Sequence, residues 1–162
     1  MKTELRYGDA VGEICPVCKS LVGTSQTVEE ALVEFHETYG LVINESPIGF
    51  TFEEDEDKTE LFQLRSNLVM EEYSEWQAAH EGEDLVELAD AICDLVYVLV
   101  GTAVSYGIPF DRCFAEVQRS NMSKLGEDGK PIVRETDGKI LKGPNFSPPD
   151  LHSIIYGGNN ES

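Results

Sequence analysis

Leu61, Leu64 and Leu68 recur at steps of three and four, the spacing of one face of an α-helix. The same stepping then reaches Glu72 and Glu75 instead of further leucines, and Glu71, three residues after Leu68, flanks the stripe. A second run, EDLVELADAICDLVYVLVG, puts Glu87, Asp90, Asp94, Tyr97 and Gly101 on one face. Leu85, Val86, Leu88, Ile92, Leu95, Val96, Val98, Leu99 and Val100 fill nearly every other side. A helix that is apolar all round is a buried helix, so the pattern predicts that its three acids are enclosed. An unpaired buried carboxylate costs several kcal/mol or gives up its charge. A solvated acidic face is the common meaning of such residues, but these stand in line with leucines. Arg65 is the nearest cation in either run, too little to pair with six acids. The pattern therefore points to bound divalent metal.

The remaining elements follow from caps and breakers. Thr27-Val28-Glu29-Glu30 matches a capping box, which predicts a first helix from about Thr27 with the stripe Val28, Leu32, Phe35, Tyr39 and a stop at Gly40. A loop from about 41 to 58 carries the acidic stretch EEDEDKTE. Helix two is expected over about Thr59 to Ala79, and His80 to Glu83 make a turn. Helix three is expected from about Asp84 to Tyr106 with a stop at Gly107, and helix four from near Pro109 with Phe110, Phe114, Val117 and Asn121 on one face. Asp128-Gly129-Lys130 and Asp137-Gly138-Lys139 are turn signals, so PIVRE and KILK predict a small hairpin, and GPNFSPPDL reads as extended. The fold class is all-α: an antiparallel bundle of four main helices with a small C-terminal β-hairpin or extended appendage. Residues 1–24 form an arm, 25–156 the domain and 157–162 a tail.

Charge narrows the chemistry. A chain of 162 residues with formal net charge −19 has the length for one domain, and no basic surface for a nucleic-acid backbone. No apolar run reads as long enough for a membrane span, and no signal-peptide core opens the sequence, so a soluble cytoplasmic protein is expected. Of the four cysteines, Cys93 and Cys113 fall in helical runs and read as packing. Cys15 and Cys18, in ICPVCKS, have the spacing of half a zinc knuckle. No second pair follows, so a structural Zn²⁺ would need His36 or a second subunit.

Six carboxylates exceed what one octahedral Mg²⁺ takes, which suggests two or more ions, and all-oxygen ligation selects Mg²⁺ or Mn²⁺. Phosphoryl-group hydrolysis is the default chemistry for such a site. A di-iron carboxylate bundle would need Glu-x-x-His motifs, and His36, His80 and His152 lie outside that spacing. Arg119, Lys124, Lys130, Arg134, Lys139 and Lys142 concentrate positive charge near the C-terminus. Lys130, Arg134 and Lys139 read as hairpin surface, whereas Asn121 and Lys124 share a helix face and suit a triphosphate.

At these residues the sequence resembles the all-α, MazG-type nucleoside triphosphate pyrophosphohydrolases, in the branch near dimeric dUTPases and phosphoribosyl-ATP pyrophosphohydrolase. The likeness rests on EEYSE followed by ELADAICDLVYVLVGTA, with VEFHETYGL, FAEVQRSNMSKL and LKGPNFSPPDL, over about residues 27 to 152. The resemblance implies cleavage of the α–β phosphoanhydride to a monophosphate and pyrophosphate with Mg²⁺ or Mn²⁺. It matches Glu72 and Glu75 to the ExxE pair, with Glu71 as an additional acid. Its ExxD half falls on Glu87 and Asp90 by spacing; aligned on DLVYV it falls on Asp94, with Ala91 in place of Glu. Glu87, Asp90 and Asp94 are all kept, with most weight on Asp90 and Asp94. Asn121 and Lys124 match its nucleotide-phosphate contacts, and Lys142 is a further candidate. The expected mechanism positions a water through Glu71 or Glu72 and stabilises developing charge through Lys124. A homodimer is expected from the apolar excess of helix three. Phosphoribosyl-ATP hydrolysis, and a non-catalytic nucleotide or metal sensor with a zinc-knuckle arm, are the competing readings.

Overall fold

A computed structural model describes residues 26–49 and 56–157, with residues 56 and 57 as backbone only. Five helices appear: α1 (Val28–Tyr39), α2 (Glu56–Glu81), α3 (Leu85–Tyr106), α4 (Phe110–Met122) and α5 (Leu151–Tyr156). α3 is the central helix, packed against α2, α1 and α4, and α5 sits on α4.

Local chemistry sets the ends. The capping box forms: Glu30 N–H donates to Thr27 Oγ1 at 3.2 Å, and Thr27 N–H to Glu30 Oε2 at 2.7 Å. Gly40 ends α1 at φ 64°. Asp84 caps α3, accepting from the Val86 and Glu87 amides at 2.9 and 3.2 Å. Pro109 offers no side chain to cap α4. Glu29 of α1 does so instead, accepting from the Phe110 and Asp111 amides at 3.0 and 2.8 Å. That tertiary cap joins two helices and has no signature along the chain.

The core is small and partly polar. Leu32, Val100 and Val104 form its apolar centre, with Val33 and Phe110 packed on it. On α1 the buried positions are Leu32 and His36, one turn apart, so the inward stripe is rotated from the expected one and Tyr39 faces water. His36 Nδ1 is bonded to the Val42 carbonyl at 2.8 Å, inside the bundle. Cys15 and Cys18 lie outside the described residues. Arg65 is also buried, and its hydrogen bonds go to Thr102 Oγ1 and the Val98 carbonyl, both neutral. Residues 42–48 lace onto the end of α3: Asn44 and Ile48 amides donate to the Val104 and Tyr106 carbonyls.

Several expectations need correction. α2 begins at Glu56, so the last part of the acidic stretch is helical; acids favour a helix N-terminus through the dipole. By length and mean hydropathy of 1.7, α3 does reach the range of a membrane span, although it packs as the central helix of the bundle. The hairpin does not form as strands among the described residues. Both turns close, with Gly129 and Gly138 at φ 74°, but pairing stops at one antiparallel bridge between Val133 and Ile140. Pro131 supplies no amide, and residues 131–140 are exposed, leaving no apolar face to extend the ladder. The segment read as extended ends in α5, capped by Asp150 accepting from Ser153 N–H at 3.1 Å.

A carboxylate latch holds this tail on α4. Glu116 accepts twice from Arg119 at 2.7 Å and once from the Asp150 amide at 2.8 Å, and Arg119 also donates to the Pro148 carbonyl. The Arg119 hydrogen bonds first, then the Asp150 amide, hold the Glu116 carboxyl down at about 2. A depressed carboxyl contributes its stability above the ordinary value of 4.5 and loses it as pH falls toward about 2. Amide exchange at Ser153 to Tyr156 is therefore expected to speed up between pH 4.5 and 2 beyond its intrinsic pH dependence. Glu116→Gln should already exchange fast at pH 6, with no such acid step.

Candidate active site

Antiparallel packing of α2 on α3 assembles the acids. Arg65 reaches Val98 and Thr102 at one end of the pair. Two turns along α2, Glu72 comes under the influence of Asp90 and Asp94. Farther still, Glu75, Ala78, Ala79 and Gly82 face Asp84, Glu87, Asp90 and Ala91 across a cleft of about 400 Å³.

Glu72 is the focus. Its Oε2 is buried with no hydrogen-bond partner, the one side-chain oxygen or nitrogen so placed among the described residues. Burial first, and then the charges of Glu75, Asp94, Glu71 and Asp90, push its carboxyl up. Both effects oppose a lone anion here, and a cation would relieve both. Arg65 does not supply it, since its donors are turned to Val98 and Thr102.

The acids are less enclosed than the pattern predicts. Glu71, Glu75, Glu87, Asp90 and Asp94 are exposed, and so are Leu85, Val86, Ile92, Val96 and Leu99 of α3. Among the described residues no three acidic, His or Cys side chains stand close enough to close a metal shell as placed. The reason is physical: one short bundle covers only part of α3, and like-charged carboxylates extend into water. The orphaned Glu72 oxygen amid acidic oxygens nevertheless fits a hard, oxygen-seeking cation. Ala91 is buried at the α2 interface, while Asp90 and Asp94 both act on Glu72 and Glu87 lies one turn farther along the cleft.

The basic group is built separately. Lys124 Nζ donates to Asn121 Oδ1 at 2.7 Å, and the Gly143 amide donates to the Lys124 carbonyl at 3.0 Å, which brings Lys142 alongside. Lys142 Nζ lies 4.2 Å from the centre of the Phe146 ring, a cation–π contact that the chain order does not suggest. Within one chain α4 packs on α3, α1 and α5 and makes no contact with α2, the helix of Glu71, Glu72 and Glu75. Arg134 pairs with Asp137 on the surface, as expected of the appendage.

An aromatic cluster of α1 and α3 flanks the acids, with no motif along the chain to mark it. Phe35 of α1 lies edge-on to Tyr97 of α3 at 5.3 Å and against Tyr39 at 4.5 Å. The nearest signal is the presence of Tyr97 on the same helical stripe as Glu87, Asp90 and Asp94.

A crystal structure of a candidate NTP pyrophosphohydrolase from Exiguobacterium sp. 255-15 is 25% identical, with a TM-score of 0.44, covering 82% of this chain and 95% of that one. No curated protein matches. The family model for phosphoribosyl-ATP pyrophosphohydrolase matches residues 28–121, from the start of α1 to the last turn of α4 and across the whole acid groove. The chain belongs to that family, within the MazG-like all-α NTP pyrophosphohydrolase superfamily.

Proposed function

We propose that the protein is a cytoplasmic, divalent-metal-dependent nucleoside triphosphate pyrophosphohydrolase that yields a monophosphate and pyrophosphate. The observation that carries this is the buried, unpartnered Glu72 oxygen surrounded by four acids. Glu72, Glu75, Asp90 and Asp94 would hold Mg²⁺ or Mn²⁺, with Glu87 beside them. When bound, such ions neutralise phosphate oxygens and acidify water.

The chain's own groups do the rest. Glu71, exposed at the rim, takes a proton from the attacking water. The water oxygen adds at phosphorus, the α–β P–O bond breaks and pyrophosphate leaves. Lys124, aligned by Asn121, offsets the charge that develops, with Lys142 as a further phosphate contact. α4 makes no contact with α2 within one chain, which favours a second subunit as the source of the Lys124 that meets the acids of α2. Its interface is supported by Leu85, Ala89, Ile92, Val96, Leu99 and Ala103, which alternate steps of four and three as a coiled-coil seam does. All but Ala103 are exposed, on the side of α3 away from the acids.

The family match favours phosphoribosyl-ATP as a second substrate reading. Pyrophosphate release with Mg²⁺ or Mn²⁺ from dUTP, dCTP, dGTP, ATP and phosphoribosyl-ATP tests both. Turnover of a nucleoside triphosphate is expected. Release from phosphoribosyl-ATP alone would favour the second reading, and nucleotide binding without release would leave a sensor.

A further inference from the structure

The acid groove has a second wall. α1 runs antiparallel to α3: Leu32 packs with Val100 and Val104, and Phe35, nearer the end of α1, meets Tyr97. One turn on, Tyr39 carries the aromatic surface farther in the direction of Asp94. Tyr97 itself follows Asp94 by three residues, so Glu87, Asp90, Asp94 and Tyr97 form one continuous strip along α3. Burial first, and then Tyr39 and Glu34, push the Tyr97 hydroxyl up. Glu34 is held by Gln26, whose Nε2 donates to it at 2.8 Å.

These rings contribute little to the core. Tyr39 is 67% exposed and Tyr97 38%, whereas the residues that close the core beside them are 1–5% exposed. The exposed seam of α3 lies on its opposite side, so a subunit covering Leu85, Ile92 and Leu99 would leave the shelf open. Asp90 and Tyr97 are seven residues apart on a helix rising 1.5 Å per residue, about 10 Å. That is the scale on which a sugar separates a polyphosphate from its base.

We propose that Phe35, Tyr39 and Tyr97 form the stacking shelf for the nucleobase of the bound nucleotide, with Glu34 and the two tyrosine hydroxyls at its polar edge. The inference rests on the acid groove being the triphosphate site. Every base presents a flat π-face, so the shelf sets the affinity for nucleotides as a class, and Glu34 with the hydroxyls discriminates between base edges.

The test is calorimetric binding, in Mg²⁺, of the α,β-imido triphosphates of deoxyuridine, deoxycytidine and deoxyguanosine, with inorganic tripolyphosphate as the ligand that lacks a base. Tyr39→Ala should weaken the nucleotides roughly 5- to 150-fold and leave tripolyphosphate unchanged, while Tyr39→Phe, which keeps the ring, should retain most of the affinity and change only the ranking among the three bases. Nucleotide affinity untouched by Tyr39→Ala overturns the shelf, as does an equal loss for both ligand types. A change of particle mass on light scattering without a nucleotide-specific loss would assign Tyr39 to a subunit contact and equally overturn it. Wild-type protein that binds tripolyphosphate as tightly as every nucleotide removes the shelf but keeps the triphosphate site. Wild-type protein that binds neither removes the proposed function itself.

Discussion

Glu72→Gln is expected to abolish pyrophosphate release while making the metal-free protein more stable. The catalytic loss should be at least about 100-fold, because even groups that merely support a metal ligand are worth 10–100-fold. The gain in stability follows from what Glu72 faces: a buried oxygen without a donor and four like charges around it. A neutral amide of the same shape removes the repulsion and can turn its N–H₂ toward those carboxylates. A rise of roughly 0.5–2 kcal/mol is the usual scale when a functional residue is replaced by a comfortable one. Glu75→Gln separates the two effects. Its carboxylate is exposed, so activity should be lost with little change in melting temperature. Parallel assays of turnover and chelator-treated melting temperature check both variants. Destabilisation by Glu72→Gln would mean that the site is a structural contact.

Gly107→Ala should be the most damaging small substitution in the bundle. The residue sits at φ 68°, where a Cβ alone costs about 1–2 kcal/mol. The added carbon would overlap the Ser46 carbonyl and lie 2.9 Å from the Asn44 carbonyl oxygen. Both are backbone atoms, so no rotamer change relieves the overlap, and such crowding adds roughly 1–3 kcal/mol. Residues 44–48 would have to leave the carbonyls of Val104 and Tyr106 that they bond. A fall in melting temperature on the order of 10 °C is expected for a domain of this size. Gly129→Ala is the matched control, since it shares the positive φ but has nothing within 4 Å. It should lose only the conformational part.

How much of this could be read from the residues alone depends on how local each cause is. Thr27, Gly40, Asp84 and Gly107 act on their own turns, and α1 and α3 begin and end where these residues place them. The stepping from Leu68 to Glu72 and from Asp90 to Asp94 likewise sets the helix faces on which these carboxylates stand. What failed was nonlocal. Apolar residues on every side of α3 say that something must cover it, not that the covering lies within one chain, which is why Glu87, Asp90 and Asp94 are exposed. His36 and Arg65 are polar by type yet buried, because each finds a carbonyl outside its own helix, Val42 just past the end of α1 for His36 and Val98 of α3 for Arg65. The cap on α4 comes from Glu29, about eighty positions away, and no window of sequence contains both partners. α5 is only six residues, too short to show a period, and the bridge between Val133 and Ile140 lacks the buried face that would have made it a hairpin.

The central claim is that divalent cations gather where α2 and α3 bring their acids together. Anomalous scattering from manganese, in crystals grown with Mn²⁺ and an α,β-imido nucleoside triphosphate, locates those cations directly. Peaks bounded by Glu72, Glu75, Asp90 and Asp94, with the nucleotide phosphates against them, are the predicted result. Manganese absent from this groove, or bound elsewhere while the nucleotide is in place, would contradict it.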